Sequence, residues 1–171
     1  DYMSTAELGN ALDSVTSGGT QKLDVVYLDA CLMQMIEVDY EVRDYADYTV
    51  ASEYLGWTGQ PYDSYISSIT STTTASQLAT TIVSEYHNDL TGTIYAHTMS
   101  AVNLAQLGLA QEVDDFAQAL TNGLPTYETQ IENSRTNCQK FYLDSYIDLY
   151  HFASLIKANI SDSNIQNAAQ E

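Results

Sequence analysis

Cysteine and histidine are the side chains in this sequence best suited to nucleophilic chemistry, and both are scarce. The chain has two cysteines, Cys31 and Cys138, and three histidines. Two cysteines are too few for a disulfide framework, and they lack the C-x-x-C spacing of metal sites. Cys31 follows an almost continuous apolar run in "VVYLDACLMQM", residues 25–35. A thiol at such a point is a candidate nucleophile.

The segment around Cys31 is predicted to pass from a buried strand into a helix. Residues 23–28 are β-branched, aromatic or apolar with one polar interruption, which favours a parallel strand covered on both faces. Beyond Cys31, apolar residues recur at helical spacing, so a helix is expected at or just after the cysteine. Active sites of parallel sheets lie beyond the carboxyl ends of strands, and a helix N-terminus favours thiolate. A second interpretation, that Cys31 is merely a small buried residue, stays open here.

The remaining elements alternate between helices and strands. A capping box formed by Ser4 and Glu7 predicts the first helix. Helices are expected over residues 5–15, 62–69, 75–88, 103–120 and 127–160, and further strands over residues 48–52 and 92–102. Residues 53–61 are expected to form a loop, and residues 122–125 to break the helical pattern.

This order of elements predicts an α/β fold with helices layered on a mainly parallel sheet. Three strands are fewer than a typical sheet contains. We therefore expect the sheet to be incomplete in this chain.

The charge of the chain restricts its partners. Five Lys and Arg residues against 23 Asp and Glu residues give a formal net charge of −18. Such a charge argues against binding to nucleic acid or to anionic lipid, and it favours basic partners or substrates. The alternative is that the acidic surface only keeps the protein soluble.

Several stretches together resemble one known family. The segment "DVVYLDACLMQMIEVDYEVRDYADYTVASE" resembles the clostripain family of cysteine peptidases, in which a buried strand ends in Asp-Ala-Cys-Leu-Met. The stretches "DYMSTAELGNAL", "LGWTGQPYDSY" and "YIDLYHFA" are similar to that family as well. The resemblance implies a caspase-like α/β sandwich, with Cys31 as the nucleophile of a cysteine endopeptidase. Residues 1–171 would form the C-terminal part, or heavy chain, of one caspase-like peptidase domain.

The resemblance also implies a Cys/His dyad in which the histidine comes first in sequence. In caspases that histidine lies about 50 residues upstream of the cysteine, whereas only thirty residues precede Cys31. None of His87, His97 and His151 fills that place. We therefore expect a partner light chain, separated by self-cleavage before Asp1, to carry the histidine. The alternatives are an expressed fragment and an inactive relative that serves as a binding or scaffold module.

Clostripain-like enzymes typically cleave after Arg, and less often after Lys, using carboxylates at the base of the first specificity pocket. The resemblance assigns Asp29 to that pocket, while a carboxylate that caps the following helix is the alternative. A second acid is expected from the loop that follows, where either Asp63 is that acid or Pro61 occupies its position. Trp57 is assigned to the pocket wall, with a position in the core as the alternative.

The implied chemistry requires no cofactor. Some family members use calcium, so calcium is allowed, although the sequence has no ordered spacing of calcium ligands. Because family members are commonly secreted or placed at the bacterial cell surface, an extracellular location is expected.

Overall fold

Helices and strands alternate through the first part of the chain, and helices dominate the rest. The computed structural model describes residues 3–57, 59–106 and 109–170. Two compact units are present, Asp1–Leu107 and Gly108–Glu171. The first unit contains α1 (Thr5–Val15), β1 (Leu23–Tyr27), α2 (Ile36–Val42), β2 (Ala46–Ala51), α3 (Tyr62–Ser67), α4 (Ala75–Leu90), β3 (Ser100–Asn103) and a 3-10 turn (Leu104–Gln106). The second unit contains α5 (Leu109–Asn137), α6 (Leu149–Asn159) and α7 (Ser163–Ala168).

The described strands form one sheet in the order β1-β2-β3. β1 and β2 are parallel, with Val26 opposite Thr49, and β3 runs antiparallel to β2, with Val102 opposite Thr49. The α/β class and a sheet of only three strands are therefore confirmed. The carboxyl ends of β1 and β2 lie at the same edge, where β3 begins.

Helices cover both faces of this sheet. On one face a core of six buried residues joins α1 and α2 to the strands: Leu12, Val26, Val38, Val42, Ala46 and Leu104. On the other face α3 and α4 pack through Tyr65, Ala79 and Ile82 against Val50. The capping box of Ser4 and Glu7 begins α1 as predicted. Layering on both faces leaves the edges of the sheet as the places where polar side chains can gather.

The third strand is shorter than predicted. Residues 92–99 were expected to be extended, but β3 begins only at Ser100. Gly92 has φ +83°, and the Thr93 hydroxyl donates to the Leu90 carbonyl oxygen and accepts from the Tyr95 N–H. These local side-chain bonds replace a sheet ladder, as threonine often permits.

The second unit departs from the predicted helix boundaries. The 103–120 helix is wrong at its start, because β3 and a 3-10 turn occupy residues 103–106 and α5 begins at Leu109, while residues 107 and 108 lie outside the described part. α5 continues through Pro125, and its irregular residue is Tyr127 (φ −121°). The expected helix over 127–160 is interrupted, because a bridge pairs Lys140 with Ile147. α6 and α7 then pack on α5 around a core of Phe116, Cys138, Phe152, Ile156, Ile160 and Ile165.

Candidate active site

Cys31 lies in an irregular segment, residues 28–35, that crosses the carboxyl edge of the sheet. The Leu28 N–H still donates to the Val50 carbonyl oxygen at 2.9 Å, so pairing with β2 extends one residue past β1. Beyond Cys31, the Leu32 N–H donates to the Tyr54 carbonyl oxygen, and the Met33 N–H donates to that of Ser52. The segment is therefore held by the chain that leaves β2, and not by a helix of its own.

The helix expected at Cys31 begins later. α2 starts at Ile36, and its N-cap residue Met35 makes no side-chain cap bond. Leu32 has φ +60°, in the left-handed region, which interrupts helical geometry directly after the cysteine. Consequently the helix-dipole argument for Cys31 is wrong, and so is the alternative in which Asp29 caps that helix.

The sulfur of Cys31 is accessible and oriented. Cys31 is exposed, whereas the other thiol, Cys138, is 5 % exposed, so the interpretation of Cys31 as a buried core residue is also wrong. The Gly56 N–H donates to Cys31 Sγ at 3.2 Å. Among the described residues, no hydrogen bond uses the Cys31 N–H, which leaves this donor available to a substrate oxygen.

Gly56 keeps the space beside that donor open. A Cβ atom at position 56 would lie 3.6 Å from the Cys31 nitrogen and 3.6 Å from the Ala30 carbonyl carbon. These are ordinary contact distances, so a larger side chain would cover the Cys31 N–H without a clash. The absence of a side chain at position 56 therefore keeps the Cys31 N–H accessible, and it is not required to avoid a clash.

A buried polar network anchors the segment three residues after the cysteine. Gln34 Nε2 donates to both oxygens of Asp39, at 2.9 Å and 2.8 Å, and the Thr49 hydroxyl donates to Asp39 Oδ1 at 2.5 Å. All three residues are buried, at 6 %, 5 % and 0 % exposure. Burial raises the pKa of Asp39, the two hydrogen-bonding neighbours oppose that rise, and the charge of Glu53 adds to it.

Sequence reasoning missed this network. The helical pattern places Asp39 among the polar residues of α2, and nothing local marks its burial. A usable signal is that Asp39 stands next to Val38 and three residues before Val42, which are both buried. At helical spacing this position borders the apolar stripe.

The carboxylate of Asp29 is bound by a tyrosine. Tyr62, the first residue of α3, donates its hydroxyl to Asp29 Oδ2. This hydrogen bond, with the burial and the negative charge that accompany it, raises the pKa of Tyr62 to about 12. The ring of Tyr62 contacts the rings of Tyr27 and Tyr65 edge-on, at centroid distances of 6.2 Å and 5.8 Å. Asp29 thus faces a wall of aromatic side chains.

The side-chain amide of Gln60 holds two tyrosines of this aromatic wall in place. Gln60 Oε1 accepts from the Tyr27 hydroxyl at 2.6 Å and from the Tyr65 hydroxyl at 3.2 Å. Burial raises the pKa of Tyr65 to about 12, with the charge of Asp29 as a minor contribution. Both phenols therefore stay protonated at neutral pH and keep donating to Gln60.

Trp57 directly follows Gly56 in the loop after β2. Its indole Nε1 donates to the Ala96 carbonyl oxygen at 2.8 Å, and its ring lies 4.5 Å from that of Tyr95. The Trp57 N–H donates to the buried Tyr86 hydroxyl at 3.3 Å. Burial raises the pKa of Tyr86, the hydrogen bond from the Trp57 N–H opposes that rise, and Asp29 and Cys31 add to it. Trp57 is half-buried and belongs to neither core of the first unit.

Asp63 is exposed in the first turn of α3, and Pro61 is the N-cap residue of that helix. Within the described residues Asp63 makes no hydrogen bond and no ion pair. Its assignment to the pocket stays a prediction.

The three histidines have partners other than Cys31 among the described residues. His87 Nδ1 and His97 Nε2 lie 3.1 Å apart, and His97 Nδ1 lies 3.0 Å from the Tyr95 carbonyl oxygen. His151 Nδ1 accepts from the Gln139 N–H at 2.9 Å. His97, expected within a strand, lies before β3.

No group of three or more His, Cys, Asp or Glu side chains that could hold a metal ion occurs among residues 3–57, 59–106 and 109–170. None of the helices described there is long and apolar enough to span a bilayer.

Comparison with known proteins agrees with this geometry. The model of the Clostripain family matches residues 1–171. A clostripain from Bacteroides thetaiotaomicron, solved with a peptide inhibitor, superposes with a TM-score of 0.66 at 16 % identity, covering 99 % of this chain and 70 % of that one. A B. fragilis cysteine protease gives 0.62 at 24 % identity, covering 99 % and 71 %. A secreted C11 cysteine protease from B. thetaiotaomicron gives 0.60 at 24 % identity, covering 99 % and 46 %.

No curated protein sequence matches the chain significantly. The solved structures share the fold, and the family model extends over every residue of the sequence. The chain therefore belongs to the clostripain family and is a cysteine peptidase.

Proposed function

We propose that the protein is an endopeptidase that cleaves after basic residues, Arg over Lys, with Cys31 as its nucleophile. One observation carries the proposal. Cys31 is exposed at the carboxyl edge of the sheet, with its own N–H unbonded among the described residues and a carboxylate two residues before it. A thiol, an amide donor and a negative charge at one edge are the parts that such a cleavage needs.

The reaction proceeds by acyl transfer. The Cys31 thiolate attacks the scissile carbonyl carbon, a C–S bond forms, and the C–N bond breaks after a histidine gives a proton to the leaving amine. A water molecule then gives a proton to the histidine and attacks the thioester carbonyl carbon, the C–S bond breaks, and the acid product and the Cys31 thiolate are released. The Cys31 N–H supplies one hydrogen bond to the oxyanion, and a second donor beside the histidine completes the hole. This chemistry requires no cofactor.

The pocket for the basic side chain is proposed to be formed by Asp29, Trp57 and Asp63. Asp29 is exposed and lies two residues from the nucleophile, so its charge can meet a substrate side chain that enters beside Cys31. The net charge of −18 favours the approach of cationic peptides. Calcium is not assigned to a place in this site, because the described residues contain no group of three His, Cys, Asp or Glu side chains that could hold it.

The histidine is proposed to come from another part of the protein. None of the chain's three histidines bonds to Cys31 within the described residues, and the chain spans about 70 % of the first two solved relatives. We propose that a light chain carries this histidine, that self-cleavage between the histidine and Cys31 separates the two chains, and that the mature enzyme is secreted or held at the cell surface. The secreted relative from B. thetaiotaomicron supports that location.

Hydrolysis of fluorogenic peptides tests the proposal. The complete protein, meaning this chain with the part that supplies the histidine, is expected to cleave Arg and Lys substrates and to spare neutral ones. Cys31→Ala should lower kcat at least about a thousandfold, whereas the control Cys138→Ala should leave kcat unchanged if the protein folds. Intact mass of the native protein shows whether a second chain is present.

Two results would overturn the proposal. If Cys31→Ala turned over substrate as fast as wild type, Cys31 would not be the nucleophile. If the enzyme preferred neutral substrates, the assignment of an acidic pocket would be wrong. Absence of any turnover by a folded, complete protein would favour an inactive binding or scaffold module.

A further inference from the structure

Tyr62 occupies one of the two oxygens through which Asp29 would bind a basic side chain. Its hydroxyl donates to Asp29 Oδ2, while no described residue donates to Oδ1. An Arg guanidinium binds a carboxylate most strongly through two parallel N–H···O bonds, one to each oxygen. A tyrosine on Oδ2 competes with the second of these bonds.

A Lys ammonium has different requirements. It is a compact charge with three freely rotating donors, and it does not need two coplanar acceptors. The Tyr62 oxygen, whose O–H group donates a hydrogen bond to Asp29, keeps lone pairs that can accept from an ammonium. Asp29 Oδ1 and Tyr62 Oη together therefore offer a Lys side chain two acceptors of suitable type.

The position of Tyr62 is held by packing as well as by Asp29. Its ring meets those of Tyr27 and Tyr65 edge-on, and Gln60 fixes the hydroxyls of these two neighbours. Tyr62 itself is 45 % exposed, so its hydroxyl stands between a fixed wall and the space that a substrate enters. The phenol is protonated at neutral pH, as an ordinary tyrosine is, and its bond to Asp29 raises its pKa further, to about 12.

We propose that Tyr62 is a specificity-determining residue. Because it occupies Asp29 Oδ2, the preference for Arg over Lys is smaller than it would be if both Asp29 oxygens were free. This inference rests on the proposed function, since it assumes that Asp29 meets the basic side chain of the substrate. It goes beyond that function in assigning the balance between the two basic residues to a tyrosine hydroxyl.

The test is the ratio of kcat/KM for matched Arg and Lys peptides, measured on the complete protein. Tyr62→Phe keeps the ring and removes the hydroxyl, so the Arg:Lys ratio is expected to rise by about tenfold, the size of one hydrogen bond to a charged group. The control is Tyr48→Phe in β2, whose hydroxyl accepts from Asn103 Nδ2 and does not bond to Asp29, and it should leave the ratio within about twofold of wild type.

A second variant, Tyr62→Leu, also removes the hydroxyl and should move the ratio in the same direction. The thermal midpoint of each variant verifies that it folds. If wild type cleaves neither Arg nor Lys peptides, the proposed function fails. If wild type cleaves both and the ratio is unchanged or falls in folded Tyr62→Phe and Tyr62→Leu, only the role of Tyr62 is overturned.

Discussion

Replacing Thr49 by Val is expected to destabilise the protein at neutral pH and to do so progressively less as the pH falls. Thr49 is fully buried, and its hydroxyl donates to Asp39 Oδ1 at 2.5 Å. Valine has nearly the same shape and the same preference for strands, so the change removes the hydrogen bond and preserves the packing. Among the described residues, the buried carboxylate then keeps only its bonds from Gln34.

The size of the effect follows mainly from that bond, because the second bond of the Thr49 hydroxyl, accepted from Gln34 Nε2, is long at 3.4 Å. A hydrogen bond to a charged group contributes about 1.5–3 kcal/mol, and the additional buried methyl group returns up to about 0.8 kcal/mol. The free energy of unfolding at neutral pH should therefore fall by about 1–2 kcal/mol.

The pH dependence has a definite sign. Burial raises the pKa of Asp39 in the folded state, against the opposing hydrogen bonds of Thr49 and Gln34. A group with a raised folded pKa contributes stability below its unfolded pKa and loses it as the pH rises through the folded pKa. Thr49→Val removes one opposing bond and so raises the pKa of Asp39 further. The difference in the free energy of unfolding between Thr49→Val and wild type is therefore largest above the folded-state pKa of Asp39 and smallest below its unfolded-state pKa.

Urea unfolding followed by circular dichroism, repeated from about pH 4 to about pH 8, measures this difference. The matched control is Thr16→Val. Thr16 is equally buried, but its hydroxyl donates to the uncharged Leu12 carbonyl oxygen at 2.7 Å, so its effect should not vary with pH. If the two variants showed the same pH dependence, Asp39 would not be the buried charge that anchors the Cys31 segment.

Two further predictions concern accessibility and packing. In the native protein, iodoacetamide should alkylate Cys31 at least about tenfold faster than the buried Cys138, as followed by peptide mass spectrometry. In urea the two cysteines should react at similar rates. Equal rates in the native protein would contradict the exposure of Cys31. Ile156→Ala, in the core of the second unit, should lower the free energy of unfolding by about 2–5 kcal/mol, whereas Tyr150→Ala on the exposed side of the same helix should change it by less than about 0.5 kcal/mol. Equal losses in the two variants would show that Ile156 does not support a core.

Local patterns predicted the elements that carry the site. The apolar run predicts β1 and the helical periodicity predicts α4. The position of Cys31 beyond β1 follows from that apolar run. The backbone of residues 30–35 could not be predicted in this way. The N–H groups of Leu32, Met33 and Gln34 donate to the carbonyl oxygens of Tyr54 and Ser52, about twenty residues away. Leu32 also adopts a left-handed conformation that its residue type disfavours.

The same limit applies to polar side chains whose partners are distant in sequence. Asp39 belongs to the polar residues of a helix by periodicity, yet Thr49 on β2 holds it inside the protein. Asp29 was expected to bind substrate or cap a helix, and nothing in its local sequence indicated that the hydroxyl of Tyr62, more than thirty residues later, would donate to its carboxylate. Such partners are brought together by the packing of α2 and α3 on opposite faces of the sheet, which no short window of sequence contains.

The central claim, that Cys31 is the nucleophile of a peptidase with an acidic pocket, is tested most directly by mechanism-based labelling. The complete protein is incubated with an acyloxymethyl ketone whose peptide ends in Arg or Lys, and the modified peptide is identified by mass spectrometry. We expect a thioether on Cys31 Sγ, formed with loss of the acyloxy group, that is absent in Cys31→Ala and retained in Cys138→Ala. A folded, complete protein that gives no adduct on Cys31, or an adduct that persists in Cys31→Ala, would contradict the claim.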